Sequence, residues 1–184
     1  VLISPRSKSS ISMSGFPKRR LIQALAQDEV LTVAPVNLNY LLWRNPENLK
    51  TRSILALGFN PEDSLLIDDK FQLKAESLKN PGRVLFDTLS RPEFGPIEKW
   101  FTDGRNVETE VAGKRVKVEG LVELGPSFGA DGNLITSRET FLRLLPSNPK
   151  GSIEIGLIKL SDNSDHRFIK NILNKSLPND VRVL

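Results

Sequence analysis

Few side chains in this sequence could do chemistry. Asp68-Asp69 is a paired carboxylate, the arrangement that acid/base work or a divalent cation would use. It follows Leu65-Leu66-Ile67 in a polar stretch and reads as solvated. Gly125-x-x-x-Gly129-x-x-Gly132 is glycine-rich. It lacks the Lys-Ser/Thr of a phosphate loop and the strand-to-helix setting of a dinucleotide site. Asp131-Gly132-Asn133 offers two oxygen side chains at calcium-loop spacing, with no bidentate Glu downstream. His166 is the single histidine and there is no cysteine. Thiol nucleophiles, disulfides and multi-His metal sites are therefore excluded. No GxSxG motif supports a Ser-His-Asp triad. These residues predict no catalytic, cofactor-binding or metal-binding site and argue against a free-standing enzyme. Such an enzyme would need Asp68, Asp69 or His166.

Aromatic residues near loops are the better candidates for function. Trp43 ends a strand, Trp100-Phe101 sit between Lys99 and Asp103, and Phe128 lies in the glycine-rich turn. Such residues are expected to be exposed. Each serves either as a local core plug or as an anchor for a protein partner. The predicted partner-binding residues are Phe128 with Ser127, Asp131 and Trp100.

The net charge is +4, and its placement matters more than its size. Residues 1–27 carry five basic side chains (Arg6, Lys8, Lys18, Arg19, Arg20) and no acid, so the rest of the chain is −1. Only Phe16 accompanies this cluster. Nucleic-acid binding would want a basic stripe interleaved with aromatics, so it is not expected. A solvated loop and helix face is the plain reading. Attraction to anionic headgroups would need the segment to lie near a membrane. No apolar run is long enough to span a bilayer.

The elements that must position these residues fall into two sets. At one end, Val1–Ser4 reads as a strand. Pro17 is expected at the first position of a helix reaching about Gln27, with Leu21, Ala24 and Leu25 on one face. Leu31–Trp43 alternates as a long strand, bent or bulged at Pro35. At the other end, Ser152–Leu160 reads as a strand. Asp162–Ser164 supplies a helix cap before Phe168, Ile169, Ile172 and Leu173, and Val181–Leu184 is a last strand. The two ends thus give β-α-β twice. Together they predict an α+β fold with a ferredoxin-like split βαβ sheet, both helices on one face, and neighbouring chain termini.

The middle of the chain is an insertion. Its strands are Arg52–Phe59, Arg83–Phe86 and Leu134–Ile135, and Asn106–Ala112 and Arg115–Leu124 form a hairpin around Gly113-Lys114 in which Val116 and Val118 alternate with Lys117 and Glu119. Short helices occupy Lys74–Leu78 and Ile97–Phe101. Thr136-Ser137-Arg138-Glu139 reads as a capping box before a helix that Pro146 stops.

Several fragments, in order, resemble a family. They are Phe16-Pro17, Val33-Ala34-Pro35, Trp43-Arg44-Asn45-Pro46, Arg52-Ser53-Ile54-Leu55, Gly58-Phe59-Asn60-Pro61, Arg83-Val84-Leu85-Phe86-Asp87, Arg91-Pro92-Glu93-Phe94-Gly95-Pro96, Gly120–Pro146 and Leu177–Val183. The chain resembles the periplasmic part of DevC-type permeases, ABC exporters of the MacB/FtsX-like superfamily found in cyanobacteria. The resemblance implies a porter-like lobe from residues 1–44 and 149–184, and an inserted, strand-rich, sabre-like lobe from 45–148. It also implies a non-catalytic domain on the periplasmic side of the inner membrane, in a dimeric multi-pass protein. The implied partners are a cytoplasmic ATPase subunit, a periplasmic adaptor (membrane fusion protein) and, indirectly, an outer-membrane channel. The implied cargo is a heterocyst-type glycolipid. The alternative is a lipoprotein-releasing or cell-division permease of the same superfamily.

Overall fold

Alternation of buried and exposed residues along Val30–Arg44 builds the longest strand of the protein (β3). The computed structural model describes residues 1–6, 14–63, 74–125, 130–149 and 151–184. The chain divides into two units. One is formed mainly by Val1–Leu38 and Asn148–Leu184, the other mainly by Asn39–Glu62 and Ile67–Ser147. Strand β3 gives its first residues to one and its last to the other.

The first unit holds β1 (Leu2–Ile3), β2 (Phe16–Pro17), α1 (Arg19–Ala24) and the start of β3. From the far end of the chain it takes Ser152–Ile153, Ile155–Leu160, the helix His166–Ser176 and Arg182–Val183. In space the strands run Arg182–Val183, β1, Ile155–Leu160, β3, each antiparallel to its neighbour. Helix α1 and the helix His166–Ser176 bury Leu21, Ala24, Ile169 and Leu173 against Leu2, Ile153 and Val183. The Leu184 N–H donates to the Val1 carbonyl at 2.8 Å, so the two chain ends are neighbours.

Three local expectations change in this unit. Pro17 does not open α1. Phe16 is buried and pairs with Ile153 while Pro17 pairs with Ser152, so this ribbon claims both residues and the helix starts at Arg19. The expected irregularity at Pro35 is not a bulge in the pairing with Ile155–Leu160. Pro35 pairs with Gly156 in continuous register, and the irregularity lies at Lys159/Leu160. Proline is tolerated in a strand where its missing donor is not needed. The segment Ser152–Leu160 is two strands, not one. Glu154 interrupts it, buried, its carboxylate accepting from Asn37 Nδ2 at 3.0 Å and the Leu38 N–H at 2.9 Å.

The second unit contains the end of β3, β4 (Thr51–Phe59), β5 (Arg83–Asp87), α2 (Ile97–Thr102), β6 (Glu108–Val111), β7 (Lys114–Val122), β8 (Asn133–Ser137) and α3 (Arg138–Leu144). The later elements of the first unit are then β9 (Ser152–Ile153), β10 (Ile155–Leu160), α4 (His166–Ser176) and β11 (Arg182–Val183). The pairing order β3-β4-β8-β5-β7-β6 returns to β3 through Trp43 opposite Val111. The Ala112 N–H to the Leu42 carbonyl, 2.8 Å, backs that closure. The six strands form a closed ring, which leaves no open edge for unwanted pairing. Pairs β4/β8 and β5/β7 are parallel, whereas β5/β8 and β6/β7 are antiparallel.

Inside the ring pack Trp43, Ile54, Phe86, Phe94, Val111 and Leu134, joined by Ile97 of α2 and Phe141 of α3. Trp43, expected to be an exposed strand end, is fully buried, and its Nε1–H donates to the Phe94 carbonyl at 2.9 Å. A large ring at the closing seam can be buried only because that polar tip has a partner.

The β6/β7 hairpin turns at Ala112-Gly113, one residue earlier than the spacing predicts. Both residues have positive φ, +51° and +72°, as a type I′ turn requires. Opposite charges face across it, Glu108 against Lys117 and Glu110 against Arg115. The α3 cap is Ser137 rather than Thr136. Its hydroxyl accepts from the Thr140 N–H and meets Thr140 Oγ1, while Thr136 stays in β8 and donates to the Arg83 carbonyl. Similarly, α4 is capped by Asp165, not by Asp162–Ser164. The Asp165 carboxylate accepts from the Arg167 and Phe168 N–H groups.

Candidate partner-contact site

Strand β5 ends at Asp87, whose carboxylate is fully buried. One oxygen accepts from the Leu89 N–H at 3.2 Å and the Leu124 N–H at 2.9 Å. The other accepts from the Gly125 N–H at 3.1 Å and Asn133 Nδ2 at 2.7 Å. Asn133 Nδ2 also donates to the Gly125 carbonyl at 2.8 Å, and the Asn133 N–H donates to Ser90 Oγ. One buried anion thus collects donors from three chain segments without a cationic side chain. Several N–H donors can hold a buried carboxylate where burial alone would be costly. Gly125 and Asn133 are the two feet of the glycine-rich loop, and both are fixed to the same carboxylate.

A second cluster holds the loop from outside. Asp131 accepts from Arg52 Nη2 at 2.7 Å and pairs with Arg91 Nε at 3.0 Å. Its carbonyl accepts from the Arg91 N–H. The Arg52 hydrogen bond first, helped by the charges of Arg91 and Arg52, holds the Asp131 carboxyl below the usual carboxylate range against the opposing cost of desolvation. Arg52 lies 5.8 Å from the centre of the Phe94 ring and 3.8 Å from Glu93, and its guanidinium pKa is raised, chiefly by the Asp131 bond. Gly132 lies against Phe94. A Cβ there would come within 2.6 Å of the ring, so no larger residue fits.

Asp131 is therefore a structural anchor of the loop. Its oxygens are engaged by guanidinium groups, which leaves the calcium-like spacing without a cation to hold. Phe128, Ser127, Asp68 and Asp69 lie outside the described residues. Trp100 takes no part in the Asp131 cluster. It is half-buried on the ring core, with the Arg105 guanidinium 5.7 Å from its ring. His166 is exposed at the first position of α4. Among the described residues no three His, Cys, Asp or Glu side chains gather as metal ligands do. None of the described helices is long and apolar enough to cross a membrane.

Sequence reasoning missed Asp87, Arg52 and Arg91 as parts of this site, and weighed Asn133 only as a calcium ligand, whereas its side chain donates to Asp87 and Gly125. It also missed two exposed leucines beside them, Leu89 and Leu124, each 52 % accessible. Asp87 fastens the backbone N–H of both. The usable signal was a charged residue closing the apolar run Val84-Leu85-Phe86.

The fold so built is mixed α+β, rich in sheet with few helices. Solved structures share it, among them these two. The extracellular domain of the noncanonic ABC-type transporter YknZ from Gram-positive bacteria matches with a TM-score of 0.61 at 12% identity, covering 100% of this chain and 97% of that one. The periplasmic region of MacB from Actinobacillus actinomycetemcomitans matches with a TM-score of 0.61 at 11% identity, covering 98% and 85%. No protein-family model matches the chain, and no curated protein matches it in sequence. At these identities the likeness defines the fold.

Proposed function

We propose that this chain is the extracytoplasmic domain of an ABC-transporter permease of the MacB/YknZ type. It performs no chemistry and couples a separate cytoplasmic ATPase to a periplasmic adaptor. The observation that carries this reading is the fold likeness over the whole chain to two such domains. Support comes from the neighbouring chain ends, which suit a domain looped out between two flanking segments. The strand order of the first unit, with its two β-α-β halves, supports naming it a ferredoxin-like, porter-like lobe. The closed ring would then be the inserted, sabre-like lobe.

Contact with the adaptor is assigned to the glycine-rich loop, with Phe128 and Ser127 as anchors, Asp131 as its brace and Trp100 at a separate position. The finer assignment is a DevC-type permease of a cyanobacterium, working as a dimer and exporting a glycolipid. It rests on the ordered sequence fragments that resemble that family.

The test is surface plasmon resonance of the purified domain against the adaptor encoded beside its gene. Saturable binding weakened by Phe128→Ala is expected. Absence of binding by both the domain and the full-length permease would overturn the coupling role.

A further inference from the structure

In the first unit an open groove of about 760 Å³ lies beside the β2/β9 ribbon. Pro17, Ile22 and Pro149 give it an apolar lining, and Lys18, Arg19 and Ser152 stand along it. Ile22 is 61 % exposed, turned out of the core that its neighbours Leu21 and Ala24 help to form. The cations are the second observation. Arg20, next in sequence, is paired with Asp180 through two bonds of 2.8 and 2.6 Å. Lys18 and Arg19 have no hydrogen-bonded or ion-paired acid among the described residues, and neither does Arg6, which lines the adjoining groove with Asp180. Asp180 is the nearby exposed carboxylate; Arg20 occupies it through both bonds, and Arg19 acts on it through charge alone. Glu154, the other acid near the ribbon, is buried against Asn37 and Leu38.

An apolar trough with surplus positive charge is complementary to a molecule having an apolar chain and an anionic head. Its volume is that of a small-molecule site rather than a protein interface.

We propose that this groove binds an anionic amphiphile, its acyl chain along Pro17, Ile22 and Pro149 and its carboxylate or phosphate head between Lys18 and Arg19. Binding requires neither adaptor nor membrane, so its failure would leave the coupling role standing, and the reverse holds too.

The experiment is isothermal titration calorimetry of the purified domain with decanoate, decyl phosphate and decyl maltoside, each below its micelle-forming concentration, and with inorganic phosphate. Both acidic amphiphiles should bind saturably, and the maltoside and inorganic phosphate on the order of ten-fold more weakly or not at all. A preference between decanoate and decyl phosphate would identify the head. The double variant Lys18→Gln/Arg19→Gln should lose on the order of ten-fold in affinity for the acids. Ile22→Asn should weaken them as well. Phe168→Ser, which alters an equally prominent apolar side chain on α4, should change nothing. Equal binding of the maltoside, an unchanged double variant, or a loss in Phe168→Ser as large as in Ile22→Asn would each overturn the proposal. So would displacement of decanoate by a hexaglutamate peptide, which would assign the groove to an acidic protein segment.

Discussion

The two units handle their charged groups in opposite ways. In the closed ring, the loop-end charges are consumed internally. Asp87 is filled by backbone and amide donors, Asp131 by two guanidinium groups, and Arg44 by Glu110 at 3.0 Å. In the first unit, Arg20 and Asp180 satisfy each other, while Lys18 and Arg19 beside them have no hydrogen-bonded or ion-paired acid among the described residues. The ring spends polar groups on its own architecture, fixing the described flanks of the loop, Gly125 and Asp131–Asn133. The first unit leaves Lys18 and Arg19 along the groove proposed above as a binding site.

The comparison breaks most easily at the ring seam. Trp43→Ala removes the largest buried ring where the strands close and orphans the Phe94 carbonyl. The expected cost is about 3–5 kcal/mol, read as a lower urea midpoint for the second unit. If the first unit lost as much, the two would not be separable.

A smaller effect is expected at the loop. Asp87→Ala leaves the Leu89, Leu124 and Gly125 N–H groups without their acceptor, at a cost of about 2–3 kcal/mol. Amide hydrogen exchange should accelerate at those residues first, while β6 and β7 keep their protection. Uniform acceleration would show that Asp87 supports the whole ring rather than the loop.

Ala112→Asn should stabilise the hairpin by up to about 1 kcal/mol, because Ala112 sits at positive φ, where asparagine is better tolerated. A rise in urea midpoint confined to the second unit would sharpen the division further.

The acid limb gives the mildest test. Asp131 is held low first by the Arg52 hydrogen bond and Asp180 first by the Arg20 hydrogen bond. A carboxyl with a folded-state pKa below its unfolded value contributes stability that is complete above the ordinary range. That stability is lost as pH falls through the depressed value. Stability should therefore decline below about pH 4 in both units. Asp131→Asn should flatten the decline in the second unit alone, and Asp180→Asn in the first alone. A variant that flattened both would argue against separate pairs.

Periodic elements were legible in the sequence. The alternation Val116/Val118 against Lys117/Glu119 gave β7, and Ile169 with Leu173 gave the buried face of α4. Contacts that depend on distant partners were not. Phe16-Pro17 looks like a helix start until Ile153 pairs with it. Trp43 looks exposed until Val111, remote in sequence, closes over it. Thr136 and Ser137 are equally good caps locally, and the Arg83 carbonyl decides between them by taking the Thr136 hydroxyl. The site followed the same rule. Asp131 could be named from its glycine-flanked setting, but its brace Arg52 lies on β4 and its neighbour Asp87 on β5. No local pattern links those positions.

The seam between Trp43 and Val111 also bears on how the protein folds. The β6/β7 hairpin can form on its own, through a two-residue turn and immediate cross-strand pairs. By contrast, β4 must find β8, and β3 must find β6, across long stretches of intervening chain. Such pairings reward the chain only after the entropy of large loops has been spent, which slows folding toward the millisecond-to-second range. The hairpin is the expected early structure and the ring seam the late one. Ala112→Asn should then speed refolding, whereas Trp43→Ala should chiefly speed unfolding. A stopped-flow comparison of the two variants would read that order directly.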